Sequence, residues 1–133
     1  MDFTIEKETL LSALTTLSKI NPTRTTLPIL STVLLKTTSP DSVTLRSTDL
    51  EVEMEIKAGA KVLEQGETCA PIYKLLEITN TITETTVSIN VNETQRMRIK
   101  TSTGKYLLMC NKTEEFPDQR QINDEPNKYQ QAF

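Results

Sequence analysis

Residues 50–56 alternate strictly: Leu50, Val52, Met54 and Ile56 are apolar, and Glu51, Glu53 and Glu55 stand between them. A strand sends successive side chains to opposite faces, so this pattern demands a sheet with one dry side and one wet side. The same period returns at Val87, Ile89 and Val91, and again at Met97 and Ile99 between Arg96, Arg98 and Lys100. Two stretches follow the helical period instead. Leu10, Leu11, Leu14 and Leu17 make one apolar stripe over residues 7–18, and Ile72, Leu75, Leu76 and Thr79 make a shorter one behind Pro71.

In chain order the pattern predicts a strand at 1–5, a helix, and strands at 27–38, 43–47 and 50–58. It then predicts a strand at 61–69 bent at Gly66, a second helix, and strands at 87–92, 96–100 and 105–111. The halves superimpose at an offset of 54 residues. Val33 falls on Val87, Leu35 on Ile89, Val43 on Met97, Leu45 on Ile99, Met54 on Leu108 and Ile56 on Cys110. The expected fold is α+β, with two β-α-β-β-β halves, at about 1–58 and 61–111, whose sheets share an interior. Beyond Glu115-Phe116-Pro117 the chain is polar and without period, so 1–117 is expected to be the domain and 118–133 a linker towards a further one.

Composition narrows the chemistry. The 133 residues contain no histidine, which removes the commonest general base and metal ligand. Cys69 and Cys110 lack metal-ligand spacing and fit buried reduced thiols. Neither a glycine-rich phosphate loop nor a nucleophile motif is present, and no catalytic residue, metal site or cofactor is expected. The N-terminus has no signal-peptide pattern and no apolar run is long enough for a membrane span, so a cytoplasmic protein is expected. A net charge of -3 opposes a uniformly basic nucleic-acid binder, though not one that sorts its charges by face.

Three features remain as site candidates. The row Glu51, Glu53, Glu55 could hold a metal, but surface carboxylates are ordinarily solvated. Arg24 lies in a polar loop and is either an ordinary exposed arginine or a contact residue. The strand 105–111 is apolar on both faces, with Leu107 and Met109 opposite Tyr106 and Leu108. It is either buried between layers or an edge that meets a partner, and the cations Arg96, Arg98, Lys100 and Lys105 would welcome an acidic surface.

Several motifs together give the chain a likeness. They are Phe3-Thr4-Ile5-Glu6, Arg24 just before Leu27-Pro28-Ile29-Leu30, the run from Ser47 to Met54, and Glu115-Phe116-Pro117. In this combination the chain resembles the amino-terminal domain of the bacterial sliding-clamp family, the beta subunits of DNA polymerase III. The resemblance implies the DNA-clamp fold, with helices on one side of antiparallel sheets. It implies a non-catalytic processivity factor: three such domains per subunit, and two subunits closed head to tail around duplex DNA. Arg24 matches the family's DNA-touching loop arginine. Lys19 lies on the helical surface facing the hole, and Tyr73 stands where many members carry a basic residue. Tyr106 and Leu108 match the apolar centre of the subunit joint. Leu107, Lys74, Arg96 and Lys105 surround that centre, facing the third domain of the neighbouring subunit. Polymerase and clamp loader would bind the later domains. A stand-alone interaction module using strand 105–111 is the alternative.

Overall fold

The computed structural model describes residues 1–21 and 27–117. The first half runs β1 (Asp2–Glu6), α1 (Lys7–Ser18), a 3-10 turn (Pro28–Ser31), β2 (Thr32–Ser39), β3 (Ser42–Thr48) and β4 (Glu53–Gly59). The second runs β5 (Lys61–Glu64), β6 (Gly66–Pro71), α2 (Ile72–Thr81), β7 (Thr86–Val91), β8 (Arg96–Lys100), β9 (Lys105–Met109) and a 3-10 turn (Thr113–Glu115).

The strands form two antiparallel sheets, ordered β5-β1-β7-β8-β9 and β4-β3-β2-β6. Each half lends its leading strand to the other. β1 pairs with β7, and β6 pairs with β2. The bend expected at Gly66 is the point where the chain leaves one sheet (β5) and enters the other (β6). A Cβ at Gly66 would lie 2.8 Å from Met1 Cβ, so the crossing depends on the bare backbone.

Both helices cover the same side of this pair. Leu10, Ala13, Leu14 and Leu17 of α1 and Ile72 and Leu75 of α2 join one core with Phe3, Ile5, Val33, Leu35, Val43, Leu45, Val87, Ile89, Met97 and Ile99. A smaller cluster lies on the outer side of the four-stranded sheet, where Phe116 covers Leu34 and Cys69. Burial raises the Cys69 thiol to about 12 and the Cys110 thiol to about 11.

Three expectations need correction. The strand expected at 50–58 begins at Glu53, and Leu50 and Val52 are about half exposed instead of belonging to the core. Side chains win locally here. Asp49 Oδ1 accepts the N–H groups of Glu51 (3.0 Å) and Val52 (2.7 Å), and Thr48 Oγ1 accepts that of Leu50 (2.9 Å). Leu50 takes φ 80° in the resulting turn. Glu51 falls in this turn, whereas Glu53 and Glu55 stay on one face of β4, where Glu53 pairs with Arg46 Nε at 2.9 Å and Arg46 lies 5.5 Å from the centre of the Phe116 ring. Second, the strand expected from 27 starts at Thr32, because Pro28 opens a 3-10 turn.

Third, the register of the last strand shifts. The offset of 54 relates β2 and β3 to β7 and β8, but Ile56 faces Leu45 where Tyr106 faces Ile99, and Ala58 faces Val43 where Leu108 faces Met97. Tyr106 and Leu108 therefore stand 50 residues beyond their counterparts, because the β3–β4 ladder has two further pairs, Ser47 with Met54 and Thr48 with Glu53. The true counterparts of Leu107 and Met109 are Lys57 and Gly59, not Glu53 and Glu55. β9 is an edge strand and is not buried between layers.

Candidate nucleic-acid interface and edge strand

The solvent side of α1 presents Glu8, Ser12 and Thr15, followed by Lys19 just past the helix end. Its hydroxyls are occupied locally: Thr15 donates to Leu11 O (2.7 Å), Thr16 to Ser12 O (3.0 Å) and Ser18 to Thr15 O (2.7 Å). On α2, Lys74 lies 3.8 Å from Glu77 in an exposed pair, a contact worth little in water. The helical layer is thus close to neutral, a surface that can hold phosphates only weakly.

Tyr73 reaches the C-terminal end of α1, just past which Lys19 stands. The half-buried Tyr73 hydroxyl donates to Asn21 O at 2.8 Å, with Ser18 O at 3.3 Å, and burial pushes its pKa up. Its one proton therefore braces the helix end, and no second donor is left for a phosphate. Arg24 lies outside the described residues. Among the described residues that precede it, the last is Asn21, a buried residue with no obvious sequence signal. Asn21 Nδ2 donates to Leu30 O (2.6 Å) and Thr32 O (3.0 Å), and its Oδ1 accepts from Ser47 Oγ. The β2–β3 ladder stops at Leu34 with Arg46, and beyond it Asn21 links Thr32 O to the Ser47 hydroxyl. One side chain so ties the end of α1 to Leu30, Thr32 and β3.

The residues expected at a subunit joint gather on and beside β9, with one exception. Tyr106 and Leu108 point to the helix side, Tyr106 exposed and Leu108 part-buried, and Tyr106 Oη lies 3.1 Å from Thr81 Oγ1 at the end of α2. Leu107 and Met109 point outward, each 58% exposed. Lys105 and Arg96 sit at opposite ends of the β8–β9 ladder, paired with Lys100 and Met109. Lys74 stands apart, seven residues before Thr81, about 10 Å along α2. Glu84 steadies the turn that presents β9. Its carboxylate accepts the Ser102 N–H at 2.8 and 3.0 Å and the Ser102 hydroxyl, which holds its pKa below the usual glutamate range. Among the described residues no group of three histidine, cysteine or acidic side chains could hold a metal, and no helix is long and apolar enough to cross a membrane.

Two sheets with interchanged leading strands, both backed by a pair of helices, define a pseudo-symmetric domain with one helical face and open sheet edges. Its relatives share that plan. The family model for the DNA polymerase III beta subunit, N-terminal domain, matches residues 1–120. The chain is 34% identical over 122 residues to the beta sliding clamp of Pseudomonas aeruginosa, spanning 88% of this chain and 32% of that protein. It is 31% identical over 119 residues to the beta sliding clamp of Escherichia coli, spanning 89% and 32%. In three dimensions it matches the DNA polymerase III beta subunit of P. aeruginosa with a TM-score of 0.82 at 32% identity, over 89% of this chain and 32% of the other. The match to the Caulobacter crescentus polymerase sliding clamp has a TM-score of 0.83 at 29% identity, with the same coverage. The chain thus belongs to the DNA polymerase III beta subunit family and corresponds to its N-terminal domain. It spans about a third of the length of these relatives.

Proposed function

We propose that this chain is the first domain of a ring-shaped processivity factor that encircles duplex DNA and tethers the replicative polymerase. The observation that carries this reading is the division of surfaces: a nearly neutral helical face on one side, and an open, partly apolar edge strand at one end. A ring that must slide gains from few and weak phosphate contacts, because each strong one would pin it. It performs no chemistry. By enclosing DNA it raises the effective concentration of polymerase at the primer end.

In this reading residues 1–117 form the domain and 118–133 lead to the next one. Lys19 and Arg24 face the DNA, and Tyr73 braces the segment between them. Tyr106 and Leu108 form the apolar centre of the joint with the third domain of a second subunit. Leu107, Arg96 and Lys105 flank that centre, and Lys74 acts from a greater distance. Polymerase and clamp loader bind through the later domains, and the protein works in the cytoplasm. The test uses the full-length protein loaded on nicked circular DNA. Linearising the circle should release it, whereas retention on the linear form would sink the ring reading. Changing Tyr106→Ser and Leu108→Ser together should convert dimer to monomer in sedimentation with the circular dichroism spectrum unchanged. Persistent dimers would refute the joint.

A further inference from the structure

The outer face of β8 and β9 extends beyond the residues assigned to the ring joint, although Arg96, Lys105 and Leu107 belong to both. Arg96, Arg98, Lys100 and Lys105 all project there and are exposed, and none of the four makes an ion pair among the described residues. Lys100 and Lys105 are direct cross-strand partners, a like-charge pairing that weakens a ladder. Glu84, beside the same hairpin, gives its carboxylate to Ser102 and relieves neither. The acid on the adjoining part of this face is Asp2, half-buried beside Arg98 and Lys100. Between the cations stand Leu107 and Met109. Arg98 is the ladder partner of Leu107, and Arg96 that of Met109. A chain with net charge -3 has thus collected around two exposed apolar side chains four cations that make no ion pair among the described residues.

We propose that this face docks an acidic, extended peptide segment of a partner protein. Leu107 and Met109 are two residues apart on one strand face, about 7 Å from each other, so alternate side chains of an extended segment can meet both. Apolar residues of the partner seat on Leu107 and on the adaptable Met109 thioether, and flanking carboxylates meet Arg98, Lys100 and Lys105. Nucleic acid fits less well. Among the described residues the face has no aromatic ring to stack a base, and its centre is apolar where a phosphate backbone needs donors. The site borders the proposed joint and shares Leu107, Arg96 and Lys105 with it, but Arg98, Lys100 and Met109 lie outside that joint.

The experiment titrates the isotope-labelled chain, followed by NMR, with a short synthetic peptide carrying two leucines two residues apart among aspartates and glutamates. A lysine-substituted version of the peptide and a DNA duplex serve as comparisons. The expected result is a set of shifts confined to residues 96–100 and 105–109, with affinity falling as salt rises. Arg98→Glu with Lys100→Glu should weaken binding about tenfold or more, and Leu107→Ser with Met109→Ser should do likewise. Equal binding of the lysine peptide, shifts elsewhere, or affinity indifferent to both pairs of changes would overturn the proposal. Tighter binding of the duplex at these residues would also overturn it, in favour of a nucleic-acid site. Failure here leaves the ring reading standing, because that reading is decided by Tyr106, Leu108 and retention on circular DNA.

Discussion

Replacing Asn21 probes the junction between the end of α1, the turn at Leu30 and β3. In Asn21→Ala the carbonyls of Leu30 and Thr32 lose their side-chain donor, and the fully buried Ser47 hydroxyl loses its acceptor. An orphaned buried polar group costs about 1–3 kcal/mol, and the three groups here are close enough for one water to relieve part of the loss, so the expected cost is about 3 kcal/mol. Asn21→Asp is the sharper comparison. It keeps an acceptor for Ser47 but turns the donor into a carboxylate oxygen facing two carbonyls, so at neutral pH it should cost more than alanine, about 4 kcal/mol. Acidification allows a protonated carboxyl at that position to donate again, and the gap between the two variants should close. The chain has no tryptophan, so urea unfolding followed by far-ultraviolet circular dichroism is the suitable assay. An aspartate variant as stable as the alanine variant at pH 7, or an alanine cost below about 1 kcal/mol, would refute the bonding described for Asn21.

Two further outcomes follow from particular contacts. Gly66→Ala should destabilise by about 1–3 kcal/mol, because the added methyl meets Met1 Cβ at 2.8 Å and Met1 Cα at 3.0 Å. A neutral result in the same urea assay would show that the N-terminal residue yields freely. Raised thiol pKa values make the cysteines inert: moving from 9.0 to about 12 lowers the thiolate fraction of Cys69 roughly a thousandfold at pH 8, and moving to about 11 lowers that of Cys110 roughly a hundredfold. Since the native state holds these protons above pH 9 while the unfolded chain releases them, stability should fall as pH rises from about 9 towards 12. Thiol labelling at pH 8 should therefore proceed only as the chain unfolds, and labelling of Cys110 at the rate of the denatured control would contradict its assigned environment.

The helices and the strands β2, β3, β7 and β8 were legible because their apolar residues recur at a fixed period, as Val33, Leu35, Val87 and Ile89 do. The errors lie where side chains act on the backbone or where register is set at a distance. Alternation at Leu50 and Val52 imitates a strand, but Asp49 and Thr48 bind the local N–H groups and impose a turn. The offset of the last strand depends on ladder length, which no single segment encodes. Asn21 was invisible as a key residue, since an isolated asparagine before a proline looks like an ordinary loop residue. Tyr73 stands out in the sequence only because many members of the family carry a basic residue there; that its hydroxyl braces the end of α1 is visible only in three dimensions. The cations of β8 could be seen on one face from the sequence. That they make no ion pair among the described residues could be seen only in three dimensions.

The exchange of leading strands has a consequence for how the chain can be cut. A break between Gly59 and Ala60 would leave a first fragment whose β2 lacks β6, and a second whose β7 lacks β1. Neither fragment can close its own sheet, yet each carries what the other is missing. The two should remain unstructured apart and assemble on mixing, as a pair of proteins rather than a nicked one. The covalent link at residues 59–60 then contributes proximity rather than shape, and the two halves are obligate partners that happen to share a chain.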